Sequence, residues 1–214
     1  MAERWATFDC YGTLIDWNGG IRRELARVFG DDRADEQLER YHEVEPTLQA
    51  GGERTYRQVM AAAMEALGAP AAEQDCLGAA LPGWQPFPEV RSALEETRAR
   101  GWKLALLSNT DRDFIESSQE QIGVPFELAV VASEIGSYKP GHEHWLRFFA
   151  KTGAPRHGHV HVAQSHFHDI VPAHELGLKS IWINRHAEHR SPAPTRELRN
   201  LSTLWETLDE LVAA

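Results

Sequence analysis

The stretch Phe8-Asp9-Cys10-Tyr11-Gly12-Thr13-Leu14 closes a short apolar run (Trp5, Ala6, Phe8) on a carboxylate and turns at once through glycine and threonine. A carboxylate at the tip of a buried strand is costly to desolvate unless hydrogen-bond donors meet it. Such placements are often functional, although an aspartate also serves as an ordinary turn or helix cap. Three later apolar runs behave in the same way, and together they restrict the fold.

After Leu14 the pattern turns helical. Ile21, Leu25, Val28 and Phe29 fall at helical spacing, as do Leu38, Tyr41, Val44 and Leu48, and again Tyr56, Met60, Met64 and Leu67. Breaks fall at Gly30-Asp31-Asp32, Gly51-Gly52 and Gly68-Ala69-Pro70, and a segment rich in proline and tryptophan, Pro82 to Pro88, leads out of the insert. From Glu89 onward strands and helices alternate. The strands are Trp102 to Leu107, running into Ser108-Asn109; Leu128 to Val131, followed by a loop with Lys139-Pro140; His159 to Ala163, running into Gln164 and on to Asp169; and Lys179 to Ile183. Alternation of this kind belongs to a parallel sheet with helices on both faces. The expected fold is therefore α/β, a Rossmann-like, doubly wound parallel sheet over 1–14 and 89–214 with a helical domain and its return linker inserted at 15–88. The linker around Trp84 and Phe87 reads as a hinge with pocket contacts.

In an open parallel sheet, ligands bind beyond the carboxyl ends of the strands. Asp9, Ser108, Asn109, Lys139 and Asp169 all fall at such ends or in the loops just after them. One pocket would then hold a nucleophile, neutral donors, a cation and a second carboxylate. Each has an ordinary alternative: Ser108 and Asn109 as caps, Lys139 as a solvated turn residue, Asp169 as an N-terminal helix acid. Their coincidence at successive strand ends favours a catalytic site.

Composition narrows the function classes. With 214 residues, 42% of them hydrophobic, the chain can bury a full core. A net charge of −10 without a long basic run speaks against nucleic acid or an anionic membrane as partner. The two cysteines, Cys10 and Cys76, cannot make a disulfide framework and suggest a reducing compartment. The N-terminal residues lead straight into a strand, and no apolar run approaches the roughly 18 residues of a membrane span. A soluble, cytoplasmic protein acting on a small molecule is expected; a homodimer stays open.

These residues carry a family resemblance. Asp9-x-Tyr11-Gly12-Thr13-Leu14, Leu107-Ser108-Asn109, Tyr138-Lys139-Pro140 and the motif ending in Asp169 resemble the four signature motifs of the haloacid dehalogenase superfamily, with the insert where that family carries its cap domain. Tyr11, Ser108-Asn109, Tyr138-Lys139-Pro140 and Trp182-Ile183-Asn184-Arg185 are most similar to the L-2-haloacid dehalogenases. Phosphatases of the superfamily place an acid two residues after the nucleophile to protonate a leaving alcohol; Tyr11, with an ordinary pKa near 10, is a poor replacement. They also hold Mg²⁺ with an acid at the position of Gln164, where a neutral amide is a weak ligand. Mg²⁺ would be needed only under a phosphatase reading, and a halide leaves without protonation or metal.

The resemblance implies that Asp9 attacks the halogen-bearing carbon of a 2-haloacid and forms an ester that water then cleaves. It further implies that Lys139 lowers the pKa of Asp9, that Asp169 positions Lys139 or activates water, that Tyr11, Thr13, Ser108 and Asn109 hold the substrate or the nucleophile, and that Arg40 of the cap binds halide. Gln164, His166 and Trp145 replace residues usual in these dehalogenases and bear on substrate size. A second reading, a metal site built on the run His157, His159, His161, His166 and His168, requires three or four ligands converging on one point.

Overall fold

A computed structural model describes residues 3–50 and 52–213. Gly51 of the break expected at Gly51-Gly52 lies outside these residues, as do Met1, Ala2 and Ala214. Six parallel strands form one sheet in the order β3-β2-β1-β4-β5-β6. They are β1 (Arg4–Phe8), β2 (Trp102–Ser108), β3 (Leu128–Val131), β4 (His159–Ala163), β5 (Lys179–Ile183) and β6 (Arg196–Leu198). The sheet winds outward both ways from β1, so the ends of β1, β2 and β4 lie side by side at the switch point.

Period-two alternation along β2 explains how both faces are covered. Leu104 and Leu106 join an apolar cluster with α5 (Val90–Ala99), α6 (Arg112–Ile122) and α10 (Leu204–Leu211). Ala105 and Leu107 face the other way, into a smaller cluster with α8 (Glu143–Thr152) and α9 (Val171–Glu175). A further short helix, α7 (Ala132–Ile135), follows β3. Neither α7 nor the edge strand β6 stands out in the sequence pattern, since both are short and β6 is largely exposed.

The insert consists of α1 (Trp17–Phe29), α2 (Ala34–Gln49), α3 (Tyr56–Ala66) and α4 (Cys76–Ala80). Its residues Ile21, Leu25, Met60 and Met64 belong to the same continuous cluster as Phe8 and Leu106 of the sheet. Thr55 and Gln58 form a capping box at the start of α3. From the sheet side, both oxygens of Asp111 accept the backbone N–H groups of Tyr56 and Arg57, each at 2.9 Å. A carboxylate there also meets the positive end of the α3 dipole, which seats this helix against the end of β2.

The two chain crossings into and out of the insert are paired. Asp16 N–H donates to the carbonyl of Gln85 (3.0 Å) and Phe87 N–H to that of Leu14 (2.9 Å). Trp84 is buried, but it packs on Gly20 of α1 and does not line the cleft, nor does Phe87; the expected pocket contacts of the linker are not made. A Cβ at Gly20 would lie 2.4 Å from the Trp84 ring, whereas one at Gly83 meets nothing within 4 Å.

The histidine-rich strand is packed inward. His159 is fully buried with Phe148 and Phe149 at 5.3 and 5.0 Å, and His144 is fully buried with Nε2 against the Ser108 carbonyl at 3.1 Å. Burial pushes both imidazoles down from 6.5 to about 3. His157, by contrast, is exposed.

Two predictions follow from this packing. Gly20→Ala should destabilise the fold by about 1–3 kcal/mol through overpacking against Trp84, while Gly83→Ala leaves the urea midpoint nearly unchanged; equal midpoints for the two variants would refute the close packing. Because His144 and His159 stay neutral when folded but take up protons when unfolded, stability is complete above pH 6.5 and declines as pH falls toward 3. At pH 5 each histidine accounts for a loss of about 2 kcal/mol. Urea melts at pH 7 and pH 5 should show that loss reduced by one histidine's share in His159→Gln; an unchanged pH dependence would count against it.

Candidate active site

A cleft of about 390 Å³ opens between the carboxyl ends of β1, β2 and β4 and the helices of the insert. Asp9 lies on its floor, one residue beyond β1. Its Oδ1 accepts from Lys139 Nζ at 2.9 Å and its Oδ2 from Thr13 Oγ1 at 2.7 Å. Gly12, with φ of +85°, makes the reversal that brings Thr13 back onto Asp9. Arg185 fixes that loop from behind, donating to the Thr13 carbonyl at 2.9 Å and pairing with Glu89 at 2.9 Å.

Lys139 is almost completely buried. Its three ammonium protons are matched by three acceptors: Asp9 Oδ1, Asp169 Oδ1 at 2.7 Å and the Leu107 carbonyl at 2.8 Å. Burial works against its charge, but the two carboxylates more than offset this and raise its pKa. The carboxylates differ. Burial alone would raise Asp169, yet Lys139 and His161 bring it down to about 2. Burial raises Asp9, Lys139 opposes the shift, and the nearby Asp169 charge adds to it, so the net direction is upward. Lys139 does lower Asp9 as expected, but the ammonium is shared and desolvation sets the net direction.

Behind Asp169 runs a chain of buried polar groups. His161 Nε2 meets Asp169 Oδ1 at 2.9 Å, His161 Nδ1 meets Thr7 Oγ1 at 2.8 Å, and Thr7 Oγ1 meets His159 Nε2 at 2.9 Å. Asp169 accepts from Nε2–H of His161, whose ring is held on its other side by Thr7 and, beyond it, by His159. His159 Nδ1 is left with no partner among the described residues.

The other expected residues divide. Ser108 lines the cleft with a buried hydroxyl that has no partner among the described residues, and the Oδ2 of Asp169 is the second such atom there. Asn109 also lines it, with Nδ2 on the Lys139 carbonyl (2.9 Å) and Oδ1 taking the Lys139 N–H (2.6 Å), so its side chain shapes the lysine loop. Tyr11 and Gln164 are lining residues as well. The Tyr11 hydroxyl is bonded to Ser118 Oγ at 3.0 Å, and burial raises its pKa well above 10.

Three expected residues lie elsewhere. Arg40 is exposed on α2 and among the described residues bonds only to Gln37 Oε1, at 3.3 Å, because the buried face of that helix is Gln37, Tyr41, Glu45 and Gln49, with Leu38, Val44 and Leu48 of the expected stripe only partly buried. Trp145 is buried beneath the sheet, edge-on to His161 at 5.1 Å, and does not reach the cleft. His166 turns away to the Pro192 carbonyl (2.9 Å) and the Trp182 ring. A single π-helical turn, His166–Ile170, rotates the motif so that His168 lines the cleft instead; burial lowers His168 to about 4, and its Nδ1 meets Ser165 Oγ at 3.0 Å.

Pattern reading also missed Glu45, Gln49 and Tyr56 of the insert, which face the cleft. The i, i+4, i+8 spacing of Tyr41, Glu45 and Gln49 was the available signal. Among the described residues no group of three or more His, Cys, Asp or Glu is arranged to hold a metal ion, and the histidine run is split between core, surface and cleft. Mg²⁺ in particular asks for several charged oxygens. Here both Asp9 oxygens are engaged, Asp169 has one oxygen left, Gln164 offers an amide and an ammonium lies between the carboxylates, a donor set that does not fit Mg²⁺.

The chain is 25% identical over 215 residues to (S)-2-haloacid dehalogenase H-109 of Pseudomonas putida, spanning 94% of this chain and 96% of the relative. It shares the fold of a dehalogenase solved with an intermediate complex (TM-score 0.85, 18% identity, 96% and 97% of the two chains). It also shares the fold of the L-2-haloacid dehalogenase of Xanthobacter autotrophicus with chloropropionic acid covalently bound (TM-score 0.83, 16% identity, 99% and 100% of the two chains). No helix among the described residues is long and apolar enough to cross a membrane. Residues 4–163 match the model of the haloacid dehalogenase-like hydrolases, and the chain belongs to that family.

Proposed function

We propose that the protein hydrolyses the carbon–halogen bond of 2-haloacids to give 2-hydroxyacids, through a covalent ester on Asp9 and without a metal ion. The observation that carries this reading is the pairing of an oriented Asp9 with Tyr11 where a leaving alcohol would need an acid. Lys139 and Thr13 fix the carboxylate on the cleft floor, and the Tyr11 hydroxyl is directed to Ser118. A nucleophile without a general acid suits a leaving group that departs as a stable anion. The relatives named above include (S)-2-haloacid and L-2-haloacid dehalogenases, one of them with chloropropionic acid covalently bound, which supports the same chemistry here.

An oxygen of Asp9 attacks the carbon bearing the halogen from the side opposite to it. The C–O bond forms as the C–X bond breaks, the electron pair leaves with the halide, and the carbon inverts. The substrate carboxylate is seated by the free Ser108 hydroxyl at the end of β2. Water then adds to the Asp9 carbonyl carbon; the free Oδ2 of Asp169 takes a proton from it and passes that proton to the departing 2-alkoxide. Loss of the remaining proton restores the Asp9 carboxylate beside Lys139.

Halide release from 2-chloro- and 2-bromopropionate should survive EDTA and fall to background in Asp9→Asn. The acid limb of kcat/KM should lie above 3.8, the ordinary aspartate value, since the free-enzyme pKa of Asp9 is raised and activity is lost as pH falls through it. Metal-dependent turnover, Mg²⁺-dependent hydrolysis of a phosphate ester, or full activity in Asp9→Asn would overturn the reading.

A further inference from the structure

The insert side of the cleft differs in charge from the sheet side. Of the residues that line it, Asp9, Glu45, Asp169 and Glu188 are acidic, and Lys139 is the only lysine or arginine. The ammonium of Lys139 has no donor left, since Asp9, Asp169 and the Leu107 carbonyl take all three. His42, His168 and His186 also line the cleft, and burial lowers the pKa of the first two below the ordinary value. No lysine or arginine among the described lining residues is therefore free to receive an anionic group at the end of the cleft away from Ser108.

Glu45 stands out among the acids. It is 6% exposed, lies on the cleft-facing side of α2, and makes no ion pair among the described residues. A carboxyl so placed is costly unless a donor or a cation meets it. Burial raises its pKa to about 7, and the Asp9 charge adds to this; Tyr56 and Gln49, its polar neighbours, offset part of the shift. The cleft, at about 390 Å³, is roomier than a two- or three-carbon acid requires.

We propose that Glu45 is a specificity residue that receives an amino group, and that the substrate is a 2-haloacid whose far end carries an amine. The inference rests on the dehalogenase reading and names its substrate class. The substrate carboxylate meets Ser108, the halogen-bearing carbon faces Asp9, and the ammonium lies beside Glu45, restoring charge balance on a side of the cleft that otherwise has none.

The test compares a matched pair that differs only in the terminal group, 2-chloro-4-aminobutanoate and 2-chloropentanoate, by halide release corrected for the uncatalysed rate. Wild type should favour the amine by about tenfold or more in kcat/KM, as expected for a charge-assisted hydrogen bond. Glu45→Gln should remove the preference by slowing the amine substrate alone, and Glu45→Asp should restore part of it. Halide release from both acids at similar rates in wild type, or a preference that persists in Glu45→Gln, overturns the inference and leaves the dehalogenase reading standing. Release from neither acid, nor from 2-chloropropionate, overturns the reading itself and the inference with it.

Discussion

The buried ammonium of Lys139 is the constraint around which the site is organised. A lysine in this position is strongly unfavourable alone, and removing one partner of such a buried pair typically costs about 3–5 kcal/mol. The chain meets the requirement with acceptors from three separate strand ends: Asp9 after β1, the Leu107 carbonyl in β2 and Asp169 after β4. These strands are neighbours only because the sheet winds outward from β1 in both directions. The catalytic geometry and the topology are therefore one arrangement, and the loop that carries Lys139 is held in turn by both ends of the Asn109 amide.

The sheet and the floor of the site were legible because strand periodicity is short-range. Each apolar run that ended in a polar residue marked a strand end, and parallel packing brought those ends together. The helical insert was harder. Its α2 helix carries the stripe Leu38, Tyr41, Val44 and Leu48, of which Tyr41 is fully buried and the others partly, while Gln37, Glu45 and Gln49 are turned inward beside it. A rule that places apolar residues inside finds Tyr41 but not its polar neighbours, and Arg40, carried over from the family resemblance, lies outside that face. The inward face is polar because it borders a cleft, where hydrogen-bonding groups meet solvent or ligand rather than a core.

Elsewhere the misreading came from geometry that spacing alone cannot encode. The π-helical turn after β4 inserts one residue into the helical register, so that His168 occupies the cleft side and His166 leaves it. Trp145 was carried over from the family resemblance, but α8 lies under the opposite face of the sheet from α5 and α6. Its ring there packs against His161. The departures from the dehalogenase pattern thus act from behind the site as well as within it.

That support has a physical logic. A carboxylate as buried as Asp169 holds its charge only if donors surround it, and Lys139 alone leaves it sharing one cation with Asp9. His161 supplies an N–H from the core, and Thr7 and His159 hold its ring from the other side. With Lys139 shared and His161 donating to Asp169 alone, the pKa values of the two carboxylates separate: Asp169 is held low, while burial raises Asp9. Two acids that began alike are given different tasks by a histidine that never enters the cleft.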